Sequence, residues 1–238
     1  MKKLVLFLFV HLAFLEAYSQ SCVSGNCEKG TGTYVFTDGA TYAGKFKKGL
    51  YHGKGVYTFA NGESYTGDFK KGNYNGQGIF KYADGGMYNG GWKNNVIHGK
   101  GITNHANGDV YNGEFVSGKK EGKGTYVFSN RVVYKGEWKN DTYDGDGNLV
   151  FANGDKYAGN FVNGLYEGQG VFTFSTGDSY TGAFKAGNYN GKGIYKYKNG
   201  DKYEGEFKNN KRNGYGVYYY SNGMQDAGVW ENDVLKKN

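Results

Sequence analysis

The chain has 238 residues, of which 43 are glycine and none proline, and it carries 24 tyrosines and 16 phenylalanines under a net charge of +7. So much glycine alone would indicate a disordered or low-complexity chain, but the aromatic residues argue instead for many tight turns between short strands. The mild basicity is spread along the chain without blocks of like charge. With no RNA- or DNA-binding motif present, a nucleic-acid partner is excluded.

Residues 1–19 come first. Lys2 and Lys3 precede an apolar run from Leu4 to Leu15 broken only by His11, and Ala17-Tyr18-Ser19 supplies small residues for cleavage before Gln20. This is the pattern of a secretory signal peptide. The run is shorter than the roughly 20 residues that span a bilayer; a buried N-terminal helix is the alternative. Cys22 as a lipid-anchor cysteine is disfavoured, because Ser19 stands where such motifs carry Leu. The expected product is a soluble chain, secreted or periplasmic, for which peripheral membrane association stays open.

Residues 20–41 form a partial repeat. Gly30-Thr31-Gly32-Thr33-Tyr34-Val35-Phe36 matches Gly122 to Phe128, and the loop before it, Gly25 to Gly30, is one residue longer than Gly118 to Gly122. Aligned so, Cys22 falls on the ring position of Phe115. Cys22 and Cys27 bracket the first hairpin loop. In an oxidising compartment two such cysteines read as a disulfide, here a staple capping the end of a sheet. Free thiols or a redox pair are the alternatives, and there is no Cys-x-x-Cys.

Residues 42–225 are eight units of 23 residues. Tyr42, Tyr65, Tyr88, Tyr111, Tyr134, Tyr157, Tyr180 and Tyr203 are evenly spaced, each followed two residues on by Gly and four on by Phe or Trp. Tyr-x-Gly-x-Phe has period two, so both rings and the glycine share one face of a strand. The eighth position is Gly, Asn or Asp, the types that accept a left-handed turn. A second strand follows, as in Gly53 to Phe59, and ends at Asn61-Gly62 or its equivalents, the strongest short hairpin signal. Both connections are tight, and each strand is expected to pair antiparallel with its sequence neighbour. The Gly-rich strands need cover, and the Tyr and Phe/Trp rows are expected to lie over them. Residues 226–238 are a C-terminal partial repeat in which Gly228 and Trp230 keep register while Asp226 replaces the Tyr.

Tyr-x-Gly-x-Phe/Trp, then Gly, then Gly-x-Gly-x-Tyr/Phe, then Asn/Asp-Gly resembles the MORN (membrane occupation and recognition nexus) repeat family over about residues 22–238. The resemblance implies an all-β fold, an elongated, twisted antiparallel sheet of tandem hairpins, solenoid-like, with protein–protein scaffolding or membrane phospholipid binding as its function. Two strands per unit give roughly 10 Å per repeat. Units one and two closely match units six and seven, a sign of block duplication. The middle units drift: Thr103 and His105 replace rings, Arg131 a turn glycine and Leu149 a ring. This is either tolerated decay or a bend or contact patch near residues 97–131.

No converging catalytic constellation, metal site or cofactor motif is found. His52 and His98 hold equivalent positions two units apart, roughly 20 Å at the strand spacing, too far to share an ion. Asp144-Gly-Asp146-Gly-Asn148 resembles a calcium loop faintly, but Leu149 stands where the loop needs Gly. Gly-x-Gly recurs without a following helix, which rejects nucleotide binding. Paired carboxylates are not marked by any position.

Two rows go beyond what hairpins require. Tyr51, Tyr74, Tyr143, Tyr166 and Tyr189 precede Gly-x-Gly by two residues, with Ile97, Lys120 and Arg212 in the same place elsewhere. They are either a ligand-binding ladder for a long partner or packing residues. Lys47, Lys48, Lys70, Lys71, Lys93, Lys139, Lys185 and Lys208 follow the first strand, either as contacts to an anionic surface or as solvated loop residues. The expectation is a non-enzymatic extracytoplasmic scaffold for a protein partner or for self-association. The alternative is an envelope binder that uses glycan or anionic phospholipid contacts.

Overall fold

The computed structural model describes residues 20–236, so the signal peptide expected over residues 1–19 lies outside the described residues. Among the described residues all regular structure is β. The strands run from β1 (Ser21–Gly25) and β2 (Lys29–Val35) through alternating seven- and nine-residue strands, such as β3 (Thr41–Lys47) and β4 (Leu50–Thr58), to β19 (Gln225–Glu231) and β20 (Val234–Leu235). Each pairs antiparallel with its neighbours in sequence, giving one continuous meander.

Two turns alternate, because their residues favour different geometries. At Lys48-Gly49 both central residues are left-handed, with φ 55° and 70°. That is the type I′ hairpin, whose twist matches that of the flanking strands. At the other end Gly62 donates to the carbonyl of Phe59 at 3.0 Å and Phe59 donates to that of Glu63 at 2.9 Å. Only Gly62 of the Asn61-Gly62 pair has positive φ. This is a type I turn closed by a left-handed glycine, and the Asn61 side chain accepts the Glu63 amide at 3.1 Å. Arg131 occupies the glycine slot of one such turn at φ 72°.

The second strand is not regular. Gly44 faces Gly55 and Phe46 faces Tyr51, so His52, Gly53 and Lys54 bulge against Lys45 alone. The two glycines of Gly-x-Gly therefore do different things. Gly53 makes the bulge, with φ 66°. Gly55 permits close approach: a Cβ there would lie 2.7 Å from the Tyr42 ring, and one on Gly44 would lie 2.6 Å from the Gly55 Cα.

The core is the ring lattice itself. All eight repeat tyrosines are essentially solvent-free. Each lies over its glycine pair as expected, and Tyr42 donates to the Lys45 carbonyl at 2.9 Å. Its ring meets Phe46 and the next repeat's Phe69 edge-on, both at 5.0 Å between centroids. Trp92, Trp138 and Trp230 each donate to a glycine carbonyl fourteen residues back. Stability thus resides in contacts between neighbouring repeats.

The ends are covered differently. Cys22 and Cys27 form a disulfide with Cα atoms 5.9 Å apart. Cys22 does not take the Phe115 position. It faces Tyr34 as Tyr111 faces Tyr126, and Gly25 faces Gly32 as Gly113 faces Gly124. The first hairpin is shorter than the others, and the sulfur of Cys27 lies over Gly32, where other repeats place a tyrosine ring. At the far end Leu235 covers Gly228. The drifted middle repeats keep the same pairing: Leu149 is buried between Tyr134 and Tyr157, and His105 stacks on Tyr126.

Candidate binding surfaces

The tyrosine ladder is built from the bulge upward. Because the bulge shifts the register by two residues and sets the ladder residue across from the Phe or Trp of its own repeat, as Tyr51 from Phe46, Tyr51 stacks on Tyr42, Tyr74 on Tyr65, Tyr143 on Tyr134, Tyr166 on Tyr157 and Tyr189 on Tyr180. The centroids lie 3.7–3.9 Å apart and the planes within 13–21°. The rings are half-buried, packed also against the Phe or Trp of their own and the next repeat. Their hydroxyls have no hydrogen-bond partner among the described residues. Burial pushes the phenols of Tyr74, Tyr143 and Tyr166 up to about 12, and it raises those of Tyr51 and Tyr189 as well. The row is a set of fixed rings whose hydroxyls stay neutral and bond no other described residue.

Where the row lacks Tyr, Ile97 packs against the core in one repeat, and cations take over in two. The Lys120 ammonium lies 5.4–5.7 Å from the ring centroids of Tyr111, Tyr126 and Trp138. The Arg212 guanidinium lies 4.3 Å from the Trp230 centroid and bonds Asp233. Both are cation–π substitutes for the missing stack.

Lys47, Lys70, Lys93, Lys139, Lys185 and Lys208 are exposed at the ends of their strands, on the face away from the tyrosine rings. Lys48 and Lys71 sit in the first left-handed position of the turn. None of the eight is in an ion pair among the described residues. Leu50, directly across from Lys47, and Val96, across from Lys93, are also exposed, so this edge mixes charge with aliphatic surface.

A carboxylate row escaped the sequence reading. Asp109, Asp155, Asp178 and Asp201 follow the turn glycine, and each accepts the backbone amide of the next repeat's turn, from Ser129, Ser175, Lys198 and Ser221 at 2.7–2.8 Å. Asp109 and Asp201 also accept the hydroxyls of Tyr126 and Tyr218, both at 2.9 Å. Those backbone amides hold the carboxyls of Asp109, Asp155 and Asp201 below the usual range. The available signal was the recurring Asn-Gly-Asp at residues 107–109, 153–155 and 199–201. The row ties each turn to the next.

The Asp144 carboxylate accepts the amide of Asn163 at 3.2 Å, as Glu121 and Glu167, one repeat to either side, accept those of Asn140 and Ala186. Repeat register therefore accounts for it. Among the described residues no group of three or more His, Cys, Asp or Glu is placed to hold a metal ion.

The family model described as MORN repeat matches nine consecutive segments: residues 28–41, 42–64, 65–87, 88–110, 111–132, 134–156, 157–179, 180–202 and 203–225. No curated protein matches the chain. Among solved structures it is similar to the TCP10 domain of Danio rerio CPAP, at 15% identity over 83% of this chain and 93% of that one, with a TM-score of 0.46. It is also similar to the TCP10c domain of Drosophila melanogaster Sas-4, at 16% identity over 64% and 91%, with a TM-score of 0.39.

Proposed function

This chain belongs to the MORN repeat family, and from that premise we propose that it works as a non-enzymatic extracytoplasmic scaffold that binds a protein partner along its sheet. The observation that carries this reading is the row of Tyr51, Tyr74, Tyr143, Tyr166 and Tyr189. Stacking fixes each ring while its hydroxyl has no partner among the described residues. A ring already immobilised loses little entropy on binding. A spacing of roughly 10 Å per repeat suits an elongated polypeptide. The Cys22–Cys27 bond supports an oxidising compartment, in keeping with the export signal read over residues 1–19.

The test uses the chain from Gln20 onward to capture proteins of the cell-envelope fraction, beside a Tyr51→Phe/Tyr166→Phe/Tyr189→Phe variant. Phenylalanine keeps the stack and removes the hydroxyls. The expected result is a protein held by the wild type and retained about tenfold less by the variant, a loss of some 1.4 kcal/mol. Equal retention removes the tyrosine row from the reading, and no captured protein removes partner binding.

A second reading, anionic phospholipid binding, draws on the unpaired lysine edge and its neighbours Leu50 and Val96. Each lysine near such a surface contributes about 1 kcal/mol. Reversing Lys47, Lys48, Lys70 and Lys71 to Glu abolishes vesicle co-sedimentation on this reading and leaves protein capture intact.

A further inference from the structure

Strands β8 (Val96–Asn104), β9 (Val110–Val116), β10 (Lys119–Val127) and β11 (Val133–Lys139) each place one charge in a row on the face away from the rings: Lys100, Glu114, Lys123 and Glu137. Lys100 is registered opposite Glu114, and Lys123 opposite Glu137. None of the four closes to ion-pair distance among the described residues. Two repeats earlier, in the same positions, Lys54 and Asp68 do so at 3.0 Å. Together with Asn112 and Thr125 the four line a depression of about 700 Å³.

The alternation of sign changes to its complement when the order is reversed. A two-fold axis lying between two copies, parallel to the strands, sets β8 of one over β11 of the other and β9 over β10. Lys100 then faces Glu137 of the second copy, Glu114 faces Lys123, and Asn112 faces Thr125. The uniform twist of a sheet survives this operation: rotating a twisted surface by half a turn about its central strand direction gives a surface that stays parallel to the original. A slip by one strand would bring like charges together. The alternation ends at Gly91 on one side, and at Asp146, which follows Glu137 with the same sign, on the other, so the register is defined in the middle of the array.

We infer that this face is a self-association surface, pairing two copies of the chain through an isologous contact centred between β9 and β10. The inference rests on the scaffold reading and specifies one partner, the chain itself. The lining carries balanced charge, which favours a mixed-charge surface over a polyanion. The charge-matched part of the contact is four strands, roughly 20 Å across, so the dimer is weak and salt-sensitive.

Sedimentation of the chain from Gln20 onward, over a concentration series reaching about 1 mM in low salt, is the test. The expected result is a monomer–dimer equilibrium weakened about tenfold or more by Lys123→Glu, and likewise by Glu114→Lys. The combined Glu114→Lys/Lys123→Glu variant restores it, because the swapped charges again face each other. Circular dichroism melts check that the variants remain folded. A monomeric wild type, single variants without effect, or a combined variant that stays monomeric would each overturn the inference. If the wild type is monomeric yet captures an envelope protein, this inference fails and the scaffold reading stands.

Discussion

The ring of Tyr42 lies flat over Gly55, close enough that a single added methyl would meet its carbons at 2.7 Å. The ring cannot retreat, because Tyr51 stacks on it at 3.9 Å and Phe46 and Phe69 meet it edge-on. Gly55→Ala is therefore expected to destabilise the array by roughly 1–3 kcal/mol through overpacking. Val56→Ala, on the exposed opposite face, should change stability little. Urea unfolding of the two variants measures the difference, and equal midpoints would show that the ring yields.

Arg131 stands where other repeats have the left-handed glycine, at φ 72°. A non-glycine residue in that region stores about 1 kcal/mol or more. Arg131→Gly is expected to raise the urea midpoint, although glycine adds freedom to the unfolded chain. A lowered midpoint would mean that the guanidinium makes a compensating contact.

Much of this was legible in the periodicity. Tyr42, Gly44 and Phe46 alternate, so their common face follows from strand geometry alone, and Gly49 marks the tight turn beyond them. The split role of Gly53 and Gly55 was not legible, because a bulge is written in backbone angles rather than side-chain pattern. The bulge also sets Tyr51 across from Phe46 and against the ring of Tyr42, a register that the side-chain pattern does not carry, so that row stayed ambiguous. Asp109 was missed because its partner, the amide of Ser129, is twenty residues away and carries no side-chain signature. Cys22 was placed on the Phe115 position by matching loop glycines, an alignment that a shortened hairpin does not obey.

The carboxylates of Asp109, Asp155 and Asp201 are held low by backbone amides of the next repeat. A carboxyl depressed in the folded state contributes stability above its unfolded value, near 3.9, and loses it as pH falls toward the folded value. The wild type is thus expected to weaken between about pH 5 and pH 3. An Asp109→Asn/Asp155→Asn/Asp201→Asn variant, less stable at neutral pH, should show a flatter profile over that window. Urea midpoints at several pH values decide this, and parallel profiles would assign the acid sensitivity to other groups.

Lys120 fills the second of the two ladder positions between Tyr74 and Tyr143, after Ile97, and Tyr111 beneath it has no ring stacked on its face as Tyr65 and Tyr134 do. What holds Lys120 is a set of cation–π contacts at 5.4–5.7 Å to Trp138, Tyr126 and Tyr111 and an ion pair at 3.5 Å to Asp141, which is itself exposed. Such a pair contributes about 0–1 kcal/mol and a cation–π contact at an exposed site about 0.5–1 kcal/mol, whereas a stacked aromatic pair adds about 0.5–1.5 kcal/mol on top of the area that a full ring buries. The Asp141 side chain would keep its hydrogen bond from the backbone amide of residue 120, at 2.9 Å, since that bond does not depend on the side chain there. Lys120→Tyr should therefore stabilise the array and shift the thermal midpoint upward. Lys120→Ala, which removes the cation–π contacts and the ion pair, should lower it. If Tyr and Ala lower the midpoint alike, the pocket over Tyr111 is shaped for a cation, and Lys120 is a specific feature of the middle repeats rather than a lapse in the ladder.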